Sequence, residues 1–494
     1  MSREILGKNF VLTEYCLYDI FLVMKVFLIN PPASEGVKIV REGRCMQRQG
    51  AWTSTWPPIT LALCAGVLEM ENIQVKLIDC IIKNIDSNSL KDQIAEFSPN
   101  LIILNTSTPS IESDLSIAKL AKDILPQVKV AALGIHVTVL PEECLSLFSS
   151  LDYCIRGEPE FIVKDLSLAL RDGGSIKDIS GLSYHTNGKI IHNPDREFIS
   201  NLDELPFPAW HLIDTEDYRM PFKNVPFLLI ATSRGCPYKC TFCADKAFYG
   251  TKLRLKSPKK VVDELEWVKK TFGVAEFLFW SESFTINNNF VLEVCEEILS
   301  RNLKVSWVCN SRVDNVDIAL LRKIKEAGCW MIGYGVESGN QQVLNSVKKG
   351  TTLKQTQEAV RWAKEAGLEV TGHCILGLPG DTQETIKQTI DFTIELDLDF
   401  AQYYCAVPFP GAKLYTQALE QNWINTTDWT KFEQNFSVLD LPNIKANRIM
   451  ELRREAFKKF YLRKKLLLKT LRRIKSLNQL ITFIRMIKDF LTWI

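Results

Sequence analysis

Cys236, Cys240 and Cys243 fall within eight residues in the stretch Arg234-Gly235-Cys236-Pro237-Tyr238-Lys239-Cys240-Thr241-Phe242-Cys243. Thiolates are soft donors that suit iron–sulfur clusters or zinc. Most clusters take four cysteines, and this loop supplies three. Three thiolates can hold three irons of a [4Fe-4S] cubane and leave the fourth iron open to a small molecule. That makes the metal a reagent site. A structural zinc is the competing reading, but it needs a closed four-ligand shell. No histidine or further cysteine lies near the loop to close one.

The elements around the loop must present it. Residues 225–232 form a short apolar run that reads as a buried strand ending at the cysteines. Strands and helices then alternate to about residue 421, with further strands expected at 277–280, 304–309, 331–334, 369–374 and 402–407. Six strands predict a partial (β/α)6 barrel of TIM type, open on one side. Chemistry in such barrels sits at the carboxyl ends of the strands. Those ends carry Ser281-Glu282-Ser283-Phe284, Asn310-Ser311-Arg312, Gly335-Val336-Glu337-Ser338-Gly339, Ile375-Leu376-Gly377 and Pro408-Phe409-Pro410-Gly411.

Upstream, residues 24–165 alternate in the same way and predict a doubly wound, Rossmann-like parallel sheet. Strands are expected at 26–30, 75–79, 101–105, 128–133 and 153–155, with helices at 59–69 and 113–125. Ligands of such sheets bind outside the carboxyl ends of the strands. The loops there contain Thr106-Ser107, Gly134-Ile135-His136 and Arg156-Gly157-Glu158. No G-x-G-x-x-G occurs, which argues against a nicotinamide or flavin dinucleotide. His136 reads as a loop-packing imidazole, because ligation needs partners that orient the ring. The long loop after the first strand, with Glu42, Met46, Gln47, Trp52 and Trp56, either covers a ligand or is a surface loop.

The spacing Cys-x3-Cys-x2-Cys, with Phe242 before the last cysteine, resembles the signature of the radical S-adenosylmethionine (SAM) enzymes. Gly335-Val336-Glu337-Ser338-Gly339 resembles a later motif of the same barrel. Asn30-Pro31-Pro32, Pro57-Pro58-Ile59, the Gly-x-His loop and Arg156-Gly157-Glu158-Pro159-Glu160 together resemble the cobalamin (B12)-binding domain that precedes many such barrels. The resemblance implies a [4Fe-4S] cluster on the three cysteines, with Phe242 beside it. It assigns Glu282 to the SAM ammonium and Arg312 to the SAM carboxylate, with a barrel-end salt bridge as the alternative for Arg312. Glu337 is assigned to the ribose hydroxyls or to an arginine that orients SAM, and Ile375 and Gly377 to the adenine. Thr106, Ser107, Gly134, Gly157 and Glu158 are the implied cobalamin contacts. Two departures stand out: Ser281 replaces an acidic residue, and no Asp-x-His-x-x-Gly supplies a cobalt-ligating histidine.

Members of this group commonly transfer a methyl group to an unactivated carbon through a 5′-deoxyadenosyl radical, drawing electrons from a donor such as flavodoxin or ferredoxin. Oxidative cyclisation with the same cofactors is the first alternative, and a non-enzymatic metal-binding module another. A methylthiotransferase is disfavoured because Cys45, Cys64 and Cys80 lack the spacing of a second cluster. The substrate is expected to be a small molecule of unspecified class.

The expected organisation is 1–23 as an extension or loose arm, 24–165 as the B12-binding-like domain and 166–222 as a connector. The barrel follows at 223–425, and 426–494 is a helical basic region. A hairpin is expected within the connector, around Asn187-Gly188. The chain of 494 residues has a net charge of +2, which gives no overall drive towards nucleic acid. Fourteen cysteines without a secretory signal point to a reducing cytosol. The basic tail reads either as peripheral contact with an anionic membrane or as the solvated face of a helix packed on the barrel.

Overall fold

Two sets of apolar segments, each too hydrophobic to face water on either side, build two parallel sheets. The computed structural model describes residues 24–34, 36–43, 46–48, 55–221 and 223–466. In the first sheet, β1 (Lys25–Asn30), β2 (Gln74–Asp79), β3 (Leu101–Asn105), β4 (Lys129–Leu133) and β5 (Tyr153–Ile155) run parallel in the order β2-β1-β3-β4-β5. β6 (Leu182–Thr186) and β7 (Lys189–His192) add an antiparallel edge. Their turn uses Asn187 and Gly188, both at positive φ, as a two-residue hairpin requires. The hairpin expected in the connector is thus part of the sheet. It pairs the edge of the three-residue β5, whose backbone groups need partners.

Helix α1 (Ile59–Met70) is buried along most of its length because it lies between this sheet and the proline-stiffened strap that follows it. Ala209 N–H donates to Ala62 O at 2.9 Å. A Cβ at Gly66 would lie 2.8 Å from Phe207 O, so a glycine lets the strap pass. Helices Ser87–Phe97 and Glu160–Asp172 were not expected. The first begins in a polar Asp-Ser-Asn-Ser run that resembles a loop, but Asp86 caps it by accepting from Ser89 N–H at 2.8 Å.

The second sheet runs in chain order: β8 (Phe227–Ala231), β9 (Glu276–Trp280), β10 (Ser306–Ser311), β11 (Cys329–Glu337), β12 (Glu369–Leu376) and β13 (Phe400–Cys405). All its pairings are parallel, and β8 does not pair with β13, so the barrel is partial and open. Helix α2 (Ala446–Tyr461) packs Ile449, Leu452, Ala456, Phe457 and Phe460 inward. Arg453, one of the tail's basic residues, is buried and donates to Tyr403 O at 2.6 Å. Residues 467–494 of the basic tail lie outside the described residues. Among the described residues no helix is long and apolar enough to cross a membrane.

The carboxyl ends of the two sheets face each other. Ile135 and Val139, after β4, pack with Ala244, Phe248 and Phe409 of the barrel. Beside them Arg234 pairs with Glu160 and, at 3.3 Å, with Glu158, while Arg254 reaches Glu158 at 2.8 Å. None of these four side chains is more than 5% exposed. A buried charge set of this kind fixes register more than it adds stability.

Candidate active site

The cysteine loop leaves β8 through a narrow neck, with Ser233–Arg234 paired antiparallel to Arg254–Leu255. Gly235 holds φ +82°, and a Cβ there would sit 2.3 Å from Lys252 O, so only glycine fits. Downstream, Thr241 N–H donates to Val347 O at 3.0 Å and Leu414 N–H donates to Thr241 O at 2.8 Å. The loop is therefore pinned from several sides. Cys236, Cys240 and Cys243 are partly exposed, whereas every other described cysteine is buried. Among the described residues no three His, Cys, Asp or Glu side chains close around a single ion.

All three cysteines line one cavity, together with Phe242, Glu282, Arg312, Glu337, Lys349 and Ile375. The cavity carries charges of both signs, which suits a zwitterionic sulfonium amino acid. Arg312 makes the barrel-end salt bridge that was the alternative to a SAM contact. Its Nε and Nη2 grip Asp314 at 2.9 and 2.8 Å, so the fork assigned to the SAM carboxylate is engaged. Its guanidinium carbon lies 3.5 Å from the Tyr238 ring centroid, and Nη1 points to Cys240 Sγ at 3.9 Å. A fixed cation beside that sulfur would favour its thiolate form, the form that binds metal.

Glu337 lines the same cavity. Its partner is Lys349, at 2.7 Å and buried, and not an arginine. The strand bulges there and Glu337 takes φ +60°. A Cβ at Gly335 would fall 2.5 Å from Glu337 Oε1 and 2.7 Å from Lys349 Nζ, so this glycine makes room for the pair. Gly377 does not reach the cavity. At φ +84° it packs under Ile449 of α2, and its N–H donates to Asp381 at 2.9 Å. Burial raises the Asp381 carboxyl to about 6.

The opposite rim behaves differently. Thr106 Oγ1 donates to Leu133 O at 2.8 Å, and the Ser107 hydroxyl pairs with that of Ser110 at 2.7 Å. Glu158 accepts from Arg254 and from Ile199 N–H at 2.7 Å. These three side chains bond within the loops and across the seam. Gly134 packs its Cα against Thr106, with 2.5 Å from a built Cβ to Thr106 O. At Gly157, φ is +79° and nothing lies within 4 Å of a Cβ, so its corner is open. His136 is buried edge-on under Trp429, 4.8 Å between ring centroids. Burial lowers its pKa to about 4, which keeps the ring neutral. The residues fit a cluster and SAM directly, whereas for cobalamin the fit lies in the module's fold and backbone corners.

Sequence reasoning missed Lys349, which follows the turn at Val347-Lys348 after a short helix and looks like a surface lysine. It also missed His373 and Tyr404, and gave no role to the strand-end Asn310; all three line the cavity. Their signal was present: these polar residues recur at alternate positions on barrel strands, on the face that points inward. The long first loop reaches the site, because Met46 lines the same cavity and Glu42 is buried against Thr60 at 2.8 Å.

Family comparison agrees with this geometry. Residues 230–393 match the model of the Radical SAM superfamily, and residues 51–167 that of the B12 binding domain. An uncharacterized methyltransferase from Pyrococcus horikoshii is 34% identical over 447 residues, covering 90% of this chain and 94% of that protein. The chain belongs to the cobalamin-binding-domain-containing radical SAM family. The anaerobic magnesium-protoporphyrin IX monomethyl ester cyclase of Rubrivivax gelatinosus, another relative, is 27% identical over 83% of this chain and 74% of its own length. The radical S-adenosylmethionine methyltransferase TsrM from Kitasatospora setae, solved with cobalamin and a [4Fe-4S] cluster, shares the fold. It matches at TM-score 0.67 and 19% identity, over 90% of this chain and 82% of that one. This radical SAM chain thus carries both modules in one fold.

Proposed function

We propose that the protein is a radical SAM enzyme, with a [4Fe-4S] cluster and cobalamin, that methylates an unactivated carbon of a small molecule. The observation that carries this reading is the cavity that gathers three partly exposed cysteines with charges of both signs, facing the rim of a B12-binding fold. When bound, the cluster and SAM supply a deoxyadenosyl radical, and cobalamin supplies the methyl group.

The chain's own residues place and shield. Cys236, Cys240 and Cys243 hold the cluster, and Arg312 lends its charge to Cys240 while Asp314 fixes its plane. Glu282 faces the SAM ammonium, and the Lys349–Glu337 pair offers an acceptor and a donor to the nucleoside. Met46 and Phe409 close the wall towards the N-terminal domain and exclude water. Gly134 and Gly157 are the backbone corners assigned to cobalamin.

Likeness to the cyclases makes radical ring closure the second reading. Product analysis after anaerobic reconstitution separates the two. S-adenosylhomocysteine together with 5′-deoxyadenosine is expected for methylation, and 5′-deoxyadenosine alone would favour the cyclase reading.

A further inference from the structure

Beneath the cavity that the three cysteines line, the barrel lumen forms a second space. Trp56, Phe227, Trp330 and Phe400 supply much of its apolar wall. None of the described residues lining it is Asp, Glu, Lys or Arg. Its polar groups are amides, a hydroxyl, an imidazole and a phenol: Asn310, Thr371, His373, Gln402 and Tyr404 at inward positions of neighbouring strands, and Gln47 from the long first loop. Strand register stacks them, with Gly333 beside both Asn310 and Thr371, and His373 beside Gln402.

The two spaces share a throat of Asn310, Gly333, His373 and Tyr404, which line both. A Cβ at Gly333 would lie 2.4 Å from Asn310 Oδ1 and 2.8 Å from His373 Nε2, so the absent side chain lets the two polar ends converge. Tyr404 stacks parallel to His373 at 5.9 Å and its hydroxyl meets Nδ1 at 3.3 Å, which orients the imidazole. Outside the floor, Lys223 lies 4.2 Å from the Trp330 ring centroid and pairs with Glu276 at 2.7 Å, so those charges are matched outside the chamber.

Resting on the radical SAM reading, we infer that the lumen is the substrate chamber and takes an uncharged, ring-bearing, mainly apolar molecule. Its neutral hydrogen-bonding group meets Asn310 and His373 at the throat, and its reacting carbon lies next to the SAM cavity. Among the described residues that line the lumen there is no cation to pair a carboxylate or phosphate, and desolvating such a group unpaired costs several kcal/mol. Aromatic walls favour flat rings.

The test uses the full chain, reconstituted anaerobically and saturated with SAM, in equilibrium dialysis against naphthalene-2-carboxamide and its isostere naphthalene-2-carboxylate. The carboxamide is expected to bind about tenfold or more tighter. A Thr371→Trp variant, which fills the lumen, is expected to lose the carboxamide while still binding SAM. Equal affinities, a preference for the carboxylate, or no binding of either probe at about 1 mM would overturn the assignment. So would carboxamide binding that survives Thr371→Trp. Iron content and SAM cleavage of the same preparation report on the radical SAM reading separately. A sample that cleaves SAM and shows no carboxamide preference sinks the chamber alone.

Discussion

The two rims that face each other in this molecule are made from similar residues and use them in opposite ways. At the barrel rim, Glu282, Lys349 and the three cysteines line an open cavity. At the N-terminal rim, Thr106, Ser107 and Glu158 bond to their own loop, to one another's neighbours or to the seam. A hydroxyl beside free carbonyls finds an internal partner, because an unmatched buried polar group costs more than its bond returns. The three cysteines instead line a cavity, with Arg312 Nη1 3.9 Å from Cys240 Sγ and Asp245 Oδ2 3.7 Å from Cys243 Sγ. Residue type at a strand end therefore says less about a ligand than the space the side chain opens onto.

The comparison can be sharpened first at the seam that joins the rims. Glu160→Gln leaves the buried Arg234 with only Glu158 at 3.3 Å, and is expected to cost about 3 kcal/mol. Denaturant unfolding monitored by near-UV dichroism measures it, and an unchanged midpoint would show that the pair contributes little.

Glu42 gives a pH-dependent test on the N-terminal side. Burial raises its carboxyl from 4.5 to about 7. Between those values the folded state keeps a proton that the unfolded chain has released, so this group's stabilising contribution falls as pH rises through that window. Glu42→Gln should flatten the pH dependence of the melting temperature between about pH 5 and 7. A slope identical to that of the parent protein would contradict the assignment.

On the barrel side, Lys349→Met leaves Glu337 buried without its cation. SAM affinity should fall about tenfold, read by calorimetry on reconstituted protein. The smallest effect is expected at Thr106. Thr106→Val removes one internal hydrogen bond, about 1 kcal/mol of stability, and should leave cobalamin content unchanged. A loss of bound corrinoid would return Thr106 to the cofactor.

Much of this arrangement is legible in the sequence, for physical reasons that differ by region. The parallel sheets follow from uninterrupted apolar strands, and the cysteine loop from a spacing that no packing argument explains. The fate of Gly377 and Glu158 was not legible. Whether a strand-end residue faces the cavity or a neighbouring element depends on partners distant in sequence, Ile449 for the first and Arg254 for the second. Lys349 escaped notice because its acid lies across a bulge twelve positions earlier. The lumen residues were available from alternation alone, since Val308 and Asn310, Thr371 and His373, and Gln402 and Tyr404 are each two apart on strands that line the barrel.

The central claim, that three thiolates hold a cubane whose open iron takes SAM, is tested most directly by comparing the anaerobically reconstituted protein with its Cys240→Ala variant. Iron, sulfide and 5′-deoxyadenosine are measured in both after reduction in the presence of SAM. The parent should carry about four irons per chain and cleave SAM, while the variant, still folded by circular dichroism, should lose the cluster absorbance and the cleavage. Full cleavage by the variant, or a parent protein that assembles no cluster, would contradict the account.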